Sequence, residues 1–131
     1  MRKIGTVAAV LLAGLLAYAS EVAMAADLSV NFKFTAAYKC SKVSPEIHVG
    51  NIPSGTAAFK VRLRDLDVPT WRHGGGTVPA DPSGVIARGA LKDGYNGPCP
   101  PSGSHNYEFT VKAVDANGET LAEGSSTQRF P

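Results

Sequence analysis

Tyr107-Glu108-Phe109-Thr110-Val111-Lys112-Ala113 alternates apolar and polar side chains without a break. A period of two puts alternate residues on opposite sides of an extended chain, so this stretch predicts a strand whose Tyr107, Phe109, Val111 and Ala113 face a core. Phe59, Val61 and Leu63 alternate in the same way with Lys60, Arg62 and Arg64, as do Leu28, Val30, Phe32 and Phe34 with Ser29, Asn31 and Lys33. Weaker strand patterns cover residues 46–49, 84–91 and 125–130. Between the strands lie clusters of turn formers: Asn51-Ile52-Pro53-Ser54-Gly55, His73 to Gly76, Asp81-Pro82-Ser83-Gly84, Asp93-Gly94, Asn96-Gly97 and Asp115-Ala116-Asn117-Gly118. No stretch after residue 26 carries a capped helical stripe. The expected fold is all-β, an antiparallel β-sandwich of about seven short strands with little or no helix.

Composition agrees with one small domain. The chain has 131 residues, 44% hydrophobic and 18% charged, with 14 Gly and 9 Pro, which is enough apolar material for a core and many positions left for turns. Its beginning reads as an export leader: Arg2 and Lys3, then an uncharged apolar run from Ile4 to Ala19, then Ala23-Met24-Ala25 with small residues where a signal peptidase reads. That run falls short of the roughly 20 apolar residues a bilayer span needs. The expected organisation is a signal peptide over 1–25 and a single sandwich domain over 26–131, exported to a periplasm or secreted. Without the leader, 11 basic and 10 acidic residues remain. Phosphate neutralisation along a nucleic acid demands a far more basic balance, so that class of partner is set aside.

Export also decides how the cysteines are read. In an oxidising compartment the two of them, Cys40 and Cys99, form a disulfide; a reactive thiol would want a cation or base beside it, and Cys99 lies between two prolines. Enzyme and metal motifs are scarce. His73-Gly74-Gly75-Gly76 imitates an esterase oxyanion segment, but no G-x-S-x-G pentapeptide supplies a nucleophile, and the phosphate-loop and HExxH patterns are absent. His48, His73 and His105 have no ligand spacing, so neither a metal nor another cofactor is expected. Asp65 and Asp67, two apart at the end of the Phe59 strand, would share a face if the strand continued, and strand parity carries His105 to the same side as Tyr107.

These residues fall into a pattern. Asp65-Leu66-Asp67-Val68-Pro69 resembles the D-x-D-x-P motif of the phosphatidylethanolamine-binding protein family, and Gly97-Pro98-Cys99-Pro100-Pro101-Ser102-Gly103-Ser104-His105-Asn106-Tyr107-Glu108-Phe109 resembles its GPCPPxGxHxYxF motif. Cys40-Ser41-Lys42-Val43-Ser44-Pro45 is similar to the C-x-x-x-x-S-P stretch ahead of them. The resemblance implies a β-sandwich with a small site for an anion such as a phosphate group or a phospholipid headgroup, lined by Asp65, His73, Gly97, His105 and Tyr107. It departs from the family after His73, where three glycines stand in place of the usual Trp, and after Asp115, where the helices of larger relatives give way to a short turn.

The expected function is therefore binding of a small anionic ligand by a non-enzymatic exported protein, with Asp65 orienting an imidazole instead of touching the ligand. The alternative is a secreted protein-interaction or inhibitor module on the same sandwich, which would fit best if Gly74 to Gly76 filled the site or His105 and Tyr107 pointed apart. The leader makes the first prediction. Secreted protein is expected to begin at Ala26, and an intact mass that retains residues 1–25 would overturn the assignment.

Overall fold

The alternating stretches become the two central strands of a four-stranded sheet. In a computed structural model, which describes residues 27–131 together with Gly14, strand β3 (Ala58–Asp65) pairs antiparallel with β4 (Arg72–Pro79) on one side and with β6 (His105–Val114) on the other. Strand β7 (Thr120–Phe130) pairs with β6 to complete the order β4-β3-β6-β7. A second sheet has the order β1-β2-β5, from β1 (Ser29–Phe32), β2 (Ile47–Gly50) and β5 (Val85–Ile86). Every pairing in both sheets is antiparallel, and one three-residue 3-10 turn at Ala36–Tyr38 is the helical element among the described residues. The all-β sandwich is thus the observed fold. Apart from Gly14, the expected leader lies outside the described residues.

The core forms where the inward parities of the two sheets meet. Phe59, Leu63, Tyr107, Phe109 and Val111 from the larger sheet are buried against Ile47, Val30 and Ile86 from the smaller. Phe109 is central, with its ring 4.8 Å from Phe32, 5.7 Å from Phe34 and 6.4 Å from Tyr95 between centroids. Burying one such side chain contributes roughly 1.5–3 kcal/mol, so the period-two pattern supplies the driving force for the pairing.

Local chemistry sets the connections. The β6–β7 hairpin turns on Asp115, whose Oδ1 accepts from the backbone N–H of Asn117 and Glu119, both at 2.9 Å, while Gly118 takes a positive φ of 79°. Residue Gln128 on β7 clamps the chain leaving β1, accepting from the Phe34 N–H at 2.7 Å and donating to its carbonyl at 3.2 Å. A Cβ at Gly124 would collide with the Leu28 carbonyl, so glycine there lets the chain entering β1 lie on β7.

Residues 73–76, expected to be a turn, lie inside β4. Glycines carry no side chain to show a period, so they read as punctuation, yet here they permit a close backbone approach. The segment 91–96 runs directly along this strand: Gly75 and Asp93 exchange backbone hydrogen bonds at 3.0 and 2.9 Å, and Cβ atoms at Gly74 and Gly76 would press on Gly94 and Leu91 respectively. Opposite Leu63 the register slips between the Arg62–Gly75 and Arg64–Arg72 pairs, and Gly74 at φ 64° absorbs the extra residue as a bulge. Strand β7 also begins earlier than expected, at Thr120, and β5 is only two residues long.

The same segment then passes under residues 38–41. Gly97 donates its N–H to the Ser41 carbonyl at 2.7 Å, Cys40 donates to the Pro98 carbonyl at 2.8 Å, and Cys40 and Cys99 are joined as a disulfide across 59 positions. Closing a loop of that length is worth about 4 kcal/mol in the chain-entropy account. Replacing both cysteines by serine is expected to lower the unfolding free energy by about that amount in urea titrations. Native-state hydrogen exchange should quicken over 91–99 before it does in β3 and β6.

Candidate functional site

The site grows from the place where β3 stops. Asp65 is its last residue, and its carboxylate is completely buried. Oδ1 accepts from the backbone N–H of Asp67 at 2.9 Å and of Val68 at 3.1 Å, folding the chain into a turn, while Oδ2 accepts from His105 Nδ1 at 2.6 Å. Burial alone pushes the carboxyl's pKa up; the His105 hydrogen bond, the two amides and the imidazole charge outweigh it and hold the group below the usual aspartate range. A carboxylate that stays ionised fixes Nδ1 as the donor, so Nε2 of His105 is the nitrogen left for another partner.

Because the strand ends at Asp65, Asp67 does not share its face. It stands in the exposed turn, and its Oδ2 accepts from the Asn106 N–H at 2.6 Å, tying the turn to the start of β6. Strand parity does bring His105 and Tyr107 together: their rings are 6.1 Å apart and inclined by only 22°. His105 is half-buried, with 16% of its side chain exposed, whereas Tyr107 is wholly buried. Burial, then the Asp65 charge, pushes the Tyr107 phenol up to about 12 against the nearby Cys99 amide, which acts the other way, so at neutral pH Tyr107 keeps its proton.

His73 completes the ring cluster from the opposite strand. Its ring meets Tyr107 edge-on at 5.6 Å and 87°, and its Nδ1 donates to the Asn96 carbonyl at 2.7 Å. Asn96 in return donates its N–H to the His73 carbonyl at 2.9 Å. The Gly74 bulge beside it lets the imidazole turn inward. The His73 Nε2 is buried without a hydrogen-bond partner, and the buried Tyr107 hydroxyl has no well-formed hydrogen bond, only the Cys99 amide nearby. Gly97 is brought next to this cluster through Asn96, but its own N–H is committed to Ser41, and a Cβ there would lie 2.6 Å from the Ser41 carbonyl; its role is to let the loop close.

Two contributors were not anticipated. Trp71, 45% exposed, sets its ring 6.3 Å from that of His105 at the rim. Asn96 acts through its carbonyl, a backbone group that no side-chain pattern could flag. Among the described residues no cluster of three or more His, Cys, Asp or Glu could hold a metal ion.

Residues 19–130 match the family model for phosphatidylethanolamine-binding proteins. The chain belongs to that family. Among the phosphatidylethanolamine-binding proteins and their curated relatives, it is 34% identical over 111 residues to the UPF0098 protein YbhB of Escherichia coli, covering 68% of this chain and 70% of YbhB. It is 29% identical over 140 residues to a UPF0098 protein of Archaeoglobus fulgidus, across 86% of this chain and 47% of that one, so it spans about half of that relative's length. Solved structures of the family share the fold. The homologue CT736 of Chlamydia trachomatis superposes with a TM-score of 0.66 at 19% identity over 80% of this chain and 97% of that chain. YbcL of Escherichia coli, a member of the mammalian PEBP family, gives 0.60 at 22% identity over 80% and 98%.

The depressed Asp65 pKa has a signed consequence. The carboxylate's contribution to stability is complete above the ordinary aspartate value of 3.8 and is lost as pH falls below it through the lower folded-state value. Asp65→Ala strips a buried carboxylate from three donors and is expected to cost about 3 kcal/mol at pH 7. In urea unfolding curves, the gap between wild type and variant should shrink below the ordinary aspartate range; a gap that does not change with pH would contradict the assignment.

Proposed function

We propose that this chain binds a small anion, a phosphate group or a phosphorylated headgroup, at His105 and Tyr107, holds it without turnover, and does so as an exported protein in a periplasm or beyond. The observation that carries the reading is the set of polar atoms with hydrogen-bonding capacity to spare beside one another: the buried His73 Nε2 and Tyr107 hydroxyl, and the partly exposed His105 ring, whose Nδ1 is taken by Asp65 and whose Nε2 is left over. Buried polar groups cost free energy unless something pairs with them, and a cluster of imidazoles with a neutral phenol suits an oxyanion. Asp65 is bonded through both oxygens, so it positions His105 and does not act on a ligand. The name of the family points to the same ligand class.

Export is supported by the leader pattern and by the Cys40–Cys99 bond, which suits an oxidising compartment. The interaction-module reading predicted filled space or divergent rings. Instead Gly74 and Gly76 face the segment 91–94, and the rings of His105 and Tyr107 lie side by side, which favours the ligand site.

A melting-temperature panel of inorganic phosphate, phosphoethanolamine, nucleotides and simple carboxylates tests the reading. Phosphate-bearing compounds are expected to raise the midpoint by mass action, and silence at high concentration removes the proposal. Tyr107→Phe is expected to weaken phosphate binding about fivefold, the equivalent of one hydrogen bond near 1 kcal/mol. His105→Ala should weaken it further while also lowering the ligand-free melting temperature, because it takes a donor from the buried Asp65 carboxylate, and His73→Ala should weaken it less.

A further inference from the structure

The outward parity of the four-stranded sheet gathers cations. Lys60, Arg62 and Arg64 project from one face of β3; Lys112 lies directly opposite Lys60 on β6, and Arg72 opposite Arg64 on β4. All five are exposed and line a single groove of about 1160 Å³ on this face, together with the glycines of β4 and the segment at Asp93 and Gly94. Only two carboxylates, Asp93 and Glu123, line it with them. The ion pairs found among the described residues, His48 with Glu46 and His105 with Asp65, involve none of these cations.

Like charges facing each other across strands destabilise a sheet, and Lys60 with Lys112 and Arg64 with Arg72 do so here; Glu108 opposite Arg64 and Glu123 opposite Lys112 offset this in part and leave the face with a net positive charge. Packing does not account for them, since none is buried. An anionic chain lying along the groove would relieve the remaining repulsion and pair with cations that form no salt bridge among the described residues. We propose that this face docks a linear uronic-acid polysaccharide. The occupant must be a chain, because side chains alternating along β3 place Lys60 and Arg64 about 13 Å apart, with Arg62 between them. Three of the five cations are arginines, whose planar forks match carboxylates two bonds at a time, and Thr77 and Thr110 on the same lining offer hydroxyls to a sugar. Single-stranded nucleic acid would need a series of aromatic platforms for its bases, whereas Trp71 is the aromatic residue of this lining. A bilayer is flat and would not enter a recess. The groove shares Trp71, His73 and Asn96 with the ring cluster, whereas His105 and Tyr107 do not line it, so its five cations lie outside the His105–Tyr107 centre of the anion site.

Trp71 is the only tryptophan in the chain, so its fluorescence reports the groove at the edge shared with the ring cluster, and substitutions at Lys60 and Arg62 tell groove binding from binding at His105. Titration with a polygalacturonate oligomer at low salt is expected to give a saturable change that weakens as salt rises. The double variant Lys60→Glu/Arg62→Glu should bind at least tenfold more weakly with a melting temperature no lower than that of the wild type, since a glutamate at position 60 would face Lys112. If the double reversal lowers that temperature, Arg62→Gln alone is expected to weaken binding about threefold. Equal affinity in the variants, no binding at low salt, or equally tight binding of single-stranded oligonucleotide or anionic phospholipid vesicles would each overturn the proposal.

Discussion

One buried carboxylate holds the functional end of the molecule together. Taking Asp65 out of water is costly, and the cost is met only because three donors from different parts of the chain converge on it: the amides of Asp67 and Val68, and the imidazole of His105. That convergence ends β3, shapes the turn that carries Trp71, and sets the orientation of the first residue of β6. Replacing any donor leaves a buried charge undersatisfied, so the turn, the strand start and the imidazole act as one unit.

A second unit closes on the first from the other side. The chain between Leu91 and Cys99 lies along β4, exchanges bonds with His73 through Asn96, and is then pinned to residues 38–41 by two backbone hydrogen bonds and a disulfide. Tyr107 stands between these units, with His105 on one side and His73 on the other. The ring cluster is thus assembled from segments far apart in sequence, each held by backbone contacts, and preorganised positions of this sort reduce the ordering cost of binding.

How much of this was legible in the sequence depended on which atoms make the contacts. Alternation marked β1, β3 and β6 because their inward side chains are large and apolar, and the parity of β6 placed His105 beside Tyr107. The strand at β4 was hidden since Gly74, Gly75 and Gly76 have no side chains to alternate, and the first half of β7 since Leu121 to Gly124 show a weak contrast. Asp67 was expected to share the face of Asp65 only if the strand continued; the Asp65 side chain captures the next turn where the strand stops, and that interaction has no signature in spacing. The Asn96 carbonyl, which orients His73, belongs to the backbone and could have been any residue's. Motif resemblance supplied His73, Gly97 and the site as a group, where periodicity alone could not.

The glycine strand has a consequence for how copies of the chain meet. A sheet edge with no side chains is flat and open, the surface on which foreign strands add most readily and from which aggregates grow. In β4 that liability is covered from within, because Gly75, which faces Arg62 of β3 in register, spends both its backbone N–H and its carbonyl on Asp93. At the far edge, Leu28 and Gln128 occupy backbone groups of β7 and of the chain beside it. The wrap that builds the candidate site therefore also serves as the guard that keeps the sheet from recruiting its neighbours.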